Sequence, residues 1–193
     1  MKKIGITGAI GSGKTTVCKM FEVLGIPVYY ADDRAKYLMN YDKDLKEKIK
    51  ALFGKSAYHR NGRLNRAKLA SIVFKDKGKL KSLNGLVHPA IHKDGEAWFK
   101  EQKSKYAIKE AALIFETKGE KFLDKVIVVA APEKIRIERV MGRDGVTEAQ
   151  VRARMKNQFT QATKLNKADI VIKNGINDSL IKQVMKIHKK LNK

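Results

Sequence analysis

Eight consecutive residues, Gly8-Ala9-Ile10-Gly11-Ser12-Gly13-Lys14-Thr15, spell G-x-x-x-x-G-K-[ST], a spacing suited to gripping a chain of phosphates. Glycines let successive backbone N–H groups turn inward around the anion, and a helix starting at the end of the loop adds its positive dipole end. Lys14 would reach the β- and γ-phosphates of a nucleoside triphosphate, and the Thr15 hydroxyl would ligate Mg²⁺. Gly8, Gly11, Ser12, Gly13 and Thr16 complete the expected cradle. A dinucleotide loop needs G-x-G-x-x-G, and the third glycine after Gly11-Ser12-Gly13 would fall at position 16, which is Thr16. The chain therefore reads as a binder of nucleoside triphosphate.

Arginine concentrates in a second place. Arg136, Arg139, Arg143, Arg152 and Arg154 fall within 19 residues, beside Gly142 and Gly145. Arginine suits bidentate phosphate contacts and the neutralisation of transition-state charge in phosphoryl transfer. A glycine-punctuated arginine segment reads as a lid over nucleotide. Arg139 and Arg143 share one face at i, i+4 and are the chosen functional positions. A third place is Asp32-Asp33, expected at the C-terminal end of a strand, where ligands of open α/β sheets collect. A carboxylate there can accept a hydroxyl proton or hold Mg²⁺, and the second can cap the next helix. Asn166-Lys167-Ala168-Asp169 matches the N-K-x-D of guanine readers, but no aspartate has glycine three positions on, so Asp169 is assigned to a turn.

These residues need strands and helices to hold them. Lys3 to Thr7 reads as a buried strand, and Thr16, Val17, Met20, Phe21 and Leu24 recur at helical spacing up to Gly25. Further strands are expected at 26–30, 106–111, 126–130 and 170–172. From about 34 to 103 the pattern is helical: Leu45, Ile49, Leu52 and Phe53 form one stripe, Asn65 caps a helix carrying Leu69, Ile72 and Val73, and Pro89 opens another. Leu180, Val184, Ile187 and Leu191 mark a docked terminal helix with a lysine face. Apolar strands alternating with helices imply a parallel sheet covered on both faces.

Bulk composition limits the function classes. The 193 residues are 43% hydrophobic, which suits one globular domain with a helical insertion. One cysteine, Cys18, excludes an intramolecular disulfide and suits a reducing compartment. No apolar run has the length of a membrane span and no signal peptide precedes the first strand, so a cytoplasmic location is expected. Lys+Arg number 42 against 20 Asp+Glu, a net charge of +22 that favours polyanionic partners. Neither an RNP motif nor a zinc finger is present, which argues against nucleic acid.

The whole pattern resembles the dephospho-CoA kinases, which phosphorylate the ribose 3′-hydroxyl of dephospho-CoA, and the similarity runs nearly end to end. Gly5 to Thr16 is similar to that family's P-loop. Tyr30-Ala31-Asp32 is similar to its Asp-Ala-Asp, with Tyr30 replacing the first aspartate. Gly62-Arg63-Leu64-Asn65-Arg66, Val73-Phe74 and Leu83-Asn84-Gly85-Leu86-Val87-His88-Pro89 resemble its substrate-side motifs. Ala112-Leu113-Ile114-Phe115-Glu116 is similar to its Pro-Leu-Leu-Phe-Glu, while Arg139, Arg143-Asp144-Gly145, Gln158, Lys164 and Ile172-Lys173-Asn174-Gly175 match its lid and last strand.

The resemblance implies a P-loop kinase fold with a five-stranded parallel sheet, a CoA-binding helical subdomain over 34–105 and a lid over 136–167. It implies ATP and Mg²⁺ as cofactors and dephospho-CoA as acceptor, in a monomer or weak homo-oligomer. Asp32 takes the catalytic role with Lys14 and Arg139, Thr15 and Asp32 hold the metal, Arg143 and Asn174 join the nucleotide site, and Asp33, Arg66 and His88 touch the acceptor. A nucleoside or nucleotide kinase, or a basic P-loop ATPase acting on nucleic acid, remains the alternative.

Overall fold

A computed structural model describes residues 1–73 and 75–193; Phe74, the second residue of the Val73-Phe74 motif, lies outside them. The chain divides into two compact units, residues 1–30 with 101–193, and residues 31–100. The helical unit thus begins three residues earlier and ends five residues earlier than the 34–105 read from the sequence.

The first unit is built on five parallel strands, β1 (Lys2–Thr7), β2 (Val28–Tyr30), β3 (Tyr106–Glu110), β4 (Lys125–Ala130) and β5 (Ile170–Lys173), in the order β2-β3-β1-β4-β5. β1 is central. Its residues Lys2 to Ile6 pair with Tyr106 to Glu110 of β3, and Ile4 to Thr7 pair with Lys125 to Val128 of β4. The chain crosses β1 between β3 and β4, so the P-loop leaves the sheet where the strand order switches sides, the place where open α/β sheets bind ligands.

One face of the sheet is covered by α1 (Lys14–Val23) and α9 (Leu180–Leu191). Val17, Cys18, Phe21, Val184, Ile187 and Leu191 bury there against Ile4, Ile6, Tyr106 and Ile127. Each such side chain removed from water contributes roughly 1.5–3 kcal/mol, which is what docks the lysine-rich terminal helix in spite of its charge. Ile114, Phe115, Val126 and Val128 form a second cluster. Burial, and secondly the nearby Glu110 and Glu22 carboxylates, push the Cys18 thiol well above its ordinary pKa, so it serves as an inert core group. Asp169, assigned to a turn from the sequence, instead holds the start of β4, accepting the Val126 N–H at 2.7 Å across 43 residues.

The second unit is helical: α2 (Ala31–Tyr41), α3 (Lys43–Phe53), α4 (Arg66–Val73) and α5 (Lys77–Glu101) around Leu38, Leu45, Ile49, Phe53, Leu69 and Val87. Asn65 Oδ1 accepts the Lys68 N–H at 3.0 Å and caps α4 as expected.

Three expectations are corrected here. Leu52 is 46% exposed, because at about 100° per residue it falls at the far edge of the stripe from Phe53. Pro89 lies inside the 25-residue α5 instead of opening a helix. The hydrogen bond its ring removes would have ended on Gly85, which is exposed and can give its carbonyl to water, while buried Leu83 and Val87 keep the helix packed. Asp32 and Asp33, expected at the end of the second strand, instead occupy the first turn of α2, where a helix N-terminus favours carboxylates.

Candidate active site

The phosphate loop is shaped by what lies behind it. Thr7 ends β1 fully buried, with Oγ1 donating to the Ala112 carbonyl at 3.2 Å. Gly11 (φ 78°) and Gly13 (φ 92°) both adopt left-handed backbone, which side chains resist. Space forbids a side chain as well. A Cβ at Gly11 would drive into the Arg136 backbone, and one at Gly13 into the Asn174 amide nitrogen. The Ser12 N–H closes a tight turn onto the Ala9 carbonyl at 3.1 Å. Ser12 Oγ is buried and lacks a hydrogen-bond partner among the described residues, a polar atom in want of a ligand.

α1 begins at Lys14, so its first-turn amides open toward the loop. Lys14 is half-buried and its Nζ donates to the Gly8 carbonyl at 3.2 Å, while Thr15 and Thr16 are exposed on the first turn. Asn174, just beyond β5, is buried; its Nδ2 donates to the Ser12 carbonyl at 2.8 Å, and its own carbonyl accepts Arg139 Nη2 at 3.2 Å. The first unit thus brings together Gly8 to Thr16, Arg139 and Asn174.

The arginine segment forms α6 (Glu133–Asp144), α7 (Glu148–Met155) and α8 (Gln161–Leu165). Its arginines divide by partner. Arg143 Nε and Arg154 Nη1 both reach Asp144 at 2.7 Å and hold its carboxyl below the usual range, the Arg143 hydrogen bond most strongly. Arg152 pairs with Glu148 at 2.7 Å and Glu133 at 2.8 Å. Arg136 is buried and donates from Nε to the Ala131 carbonyl at 3.1 Å; burial lowers its pKa against the opposing pull of Glu133. Two of the five lie against the loop: Arg136 through its backbone behind Gly11 and its Nη1 at the Ile10 carbonyl, and Arg139 with its Nη1 about 4.0 Å from where a Gly13 Cβ would stand. Ile137, Val140 and Val151 form a small core that Ile10 of the P-loop joins. A cavity of about 540 Å³ lies beside it, lined by Ala9, Arg136, Lys156, Gln158 and Phe159 among others.

In the second unit Asp32 and Asp33 are both exposed, and Asp33 Oδ1 pairs with Lys36 Nζ at 2.6 Å. Asp32 has no ion pair of this kind among the described residues. Arg66 is the exposed first residue of α4, and His88 sits half-buried in the middle of α5.

The sequence reading passed over one feature of the first unit. Glu110 is a buried acid (7% exposed) at the C-terminal end of β3, in register with Ile6 of β1. The charge ending an otherwise apolar Tyr-Ala-Ile run was a usable signal. Lys164, matched in sequence to the family's lid, is fully buried, and its Nζ meets Glu116 Oε1 at 2.8 Å.

A P-loop leaving the central strand of a β2-β3-β1-β4-β5 parallel sheet defines a phosphotransferase of the P-loop kinase class. The family model for dephospho-CoA kinase matches residues 2–179. A dephospho-CoA kinase from Salinibacter ruber is 44% identical over 178 residues, spanning 90% of this chain and 89% of the relative. A crystal structure of a Thermus thermophilus protein superposes with a TM-score of 0.87 at 33% identity, covering 100% and 98% of the two chains. That of the dephospho-CoA kinase from Campylobacter jejuni gives 0.71 at 28% identity, covering 98% and 96%. The chain belongs to the dephospho-CoA kinase family.

Proposed function

We propose that the protein transfers the γ-phosphoryl group of ATP to the ribose 3′-hydroxyl of dephospho-CoA, giving coenzyme A and ADP. The observation that carries this reading is the shaped P-loop at the end of β1, with Lys14 and Thr15 opening α1, in a chain of this family. The loop amides and the α1 N-terminus bind the β- and γ-phosphates, and Lys14 and Arg139 neutralise charge as the phosphoryl group moves. Asn174 holds the Ser12 peptide so that the loop keeps its curve. Arg143 joins the nucleotide site by exchanging Asp144 for phosphate.

Asp32 orients the acceptor hydroxyl and takes its proton, and its freedom from the pairing that occupies Asp33 supports the choice. Asp33, Arg66 and His88 contact the acceptor. Mg²⁺, when bound, would offset the charge on the phosphates. It takes hard oxygen donors, mostly from phosphate and water with one or two from side chains, and the Thr15 hydroxyl and the Asp32 carboxylate are donors of that kind that would hold it.

Among the described residues no helix is long and apolar enough to cross a membrane. The proposal extends to a cytoplasmic enzyme that acts as a monomer or weak homo-oligomer on two small substrates. Acceptor-dependent release of ADP, with dephospho-CoA as acceptor, is the test. Release no faster than with water alone overturns the reading.

A further inference from the structure

Residues 158–164 are fastened to the sheet more firmly than a lid requires. Lys164 Nζ donates to the Ala112 carbonyl at 2.7 Å and pairs with Glu116 Oε1 at 2.8 Å. The same Oε1 accepts the Phe159 N–H at 2.8 Å. Gln161 Oε1 accepts the Ala131 N–H at 3.1 Å, and Thr160 caps α8 by accepting the Thr163 N–H at 3.1 Å. The side chains of Lys164 and Glu116 are 0% and 13% exposed. Sequestering two opposite charges is an expensive way to hold chain segments together, since an apolar pair of similar volume does so at no loss of stability. The pair therefore calls for a use beyond stability.

The use lies one residue away. Gln158 precedes Phe159, and its Oε1 accepts the Ile10 N–H at 3.0 Å, across 148 residues of sequence. Ile10 is in the P-loop, next to Gly11. The direction of its amide fixes the peptide plane from which the left-handed Gly11 departs, and so fixes where the following amides point. Its carbonyl receives Arg136 Nη1 in a long contact of 3.5 Å, and its side chain joins the Ile137–Val140–Val151 cluster. The hydrogen bond from Gln158 is the short, directed link in that set.

We propose that Glu116 and Lys164 are positioning residues for the phosphate cradle. The buried pair fixes the Phe159 amide, and Phe159 fixes Gln158. Gln158 in turn holds the Ile10 amide, so the loop carries its phosphate-binding shape before nucleotide arrives. Preorganised donors spare the binding energy otherwise spent on ordering the loop. The proposal rests on the reading of the P-loop as the ATP site.

The test uses the full chain with Gln158→Ala, with Glu116→Leu and Lys164→Met together, and with all three changes. Replacing both charged partners avoids leaving one of them buried alone. Amide exchange at Ile10 is measured without nucleotide, and the Kd for a non-hydrolysable ATP analogue beside it. Losing one directed hydrogen bond corresponds to about a tenfold effect, so Ile10 exchange should quicken and Kd rise by about tenfold in Gln158→Ala and in the paired variant. The triple variant should be no worse than the worse of those two, because both act through one bond.

Native Ile10 exchange and native Kd in the paired variant, whatever its Tm, overturn the proposal. So do losses that multiply in the triple variant. Should the paired variant fail to fold, Gln158→Ala decides alone, native values there being contrary. If the unaltered protein binds no ATP analogue, the P-loop assignment fails, while Ile10 exchange still reports on the pair.

Discussion

Lys14 opens α1 with its ammonium donating to the Gly8 carbonyl, half-buried by the loop it serves. The role proposed for it is charge stabilisation and not packing, so Lys14→Ala should leave the circular dichroism spectrum unchanged and reduce acceptor-dependent turnover by about 100-fold or more. Near-native turnover would remove the P-loop from the mechanism. At the other reactant, Asp32→Asn should lower kcat by about 100- to 10,000-fold, since an amide keeps the shape but takes no proton. Asp33→Asn should cost far less, because its exposed pair with Lys36 is a weak surface contact. The reverse order of damage would give the base role to Asp33. Steady-state rates with saturating ATP check both. These residues were legible because their motifs are local: eight consecutive residues name the cradle. The groups behind the cradle carry no local pattern. Asn174 meets Ser12 across 162 residues of sequence and Gln158 meets Ile10 across 148, so composition and spacing could propose them only through the family resemblance.

At the scale of elements, the three helices after β4 do not form one uniform basic flap. Arg143 and Arg154 share Asp144, and Arg152 bridges two glutamates, so much of the segment's positive charge is paired. The stretch 158–164 is tied to the sheet, whereas α7 buries only Val151. Hydrogen exchange should separate them. The α7 amides should exchange fast without ligand and slow when an ATP analogue and dephospho-CoA are added, while Lys164 stays protected throughout. Arg139→Ala with Arg143→Ala should abolish the ligand-induced slowing and spare Gly8 to Thr16. Equal α7 protection with and without ligands would make these helices a fixed part of the fold. The strands were the most legible elements, each a short run carrying β-branched or aromatic residues. The boundaries were less so: Pro89 suggested a helix start that packing by Leu83 and Val87 overrode, and the second strand begins at Val28, two residues after the expected start at 26.

Over the whole molecule, each unit carries its own core, one around Ile4, Phe21 and Tyr106 and the other around Leu45, Ile49 and Phe53. The net charge of +22 surrounds both with a field that draws in anions. ATP and dephospho-CoA are both polyanions, but so are AMP, CMP and nucleic acid, and a P-loop with a strand-following aspartate serves other kinases too. Charge and fold therefore define the chemistry, and the acceptor defines the enzyme. The most direct measurement is ADP release with ATP and Mg²⁺ held constant and dephospho-CoA, AMP, CMP, adenosine or DNA supplied in turn. The account predicts release with dephospho-CoA, matched one for one by a new phosphomonoester on the ribose 3′-oxygen, and little above background with the others. Faster release with AMP, CMP or adenosine, or turnover stimulated by DNA without an acceptor, would contradict it.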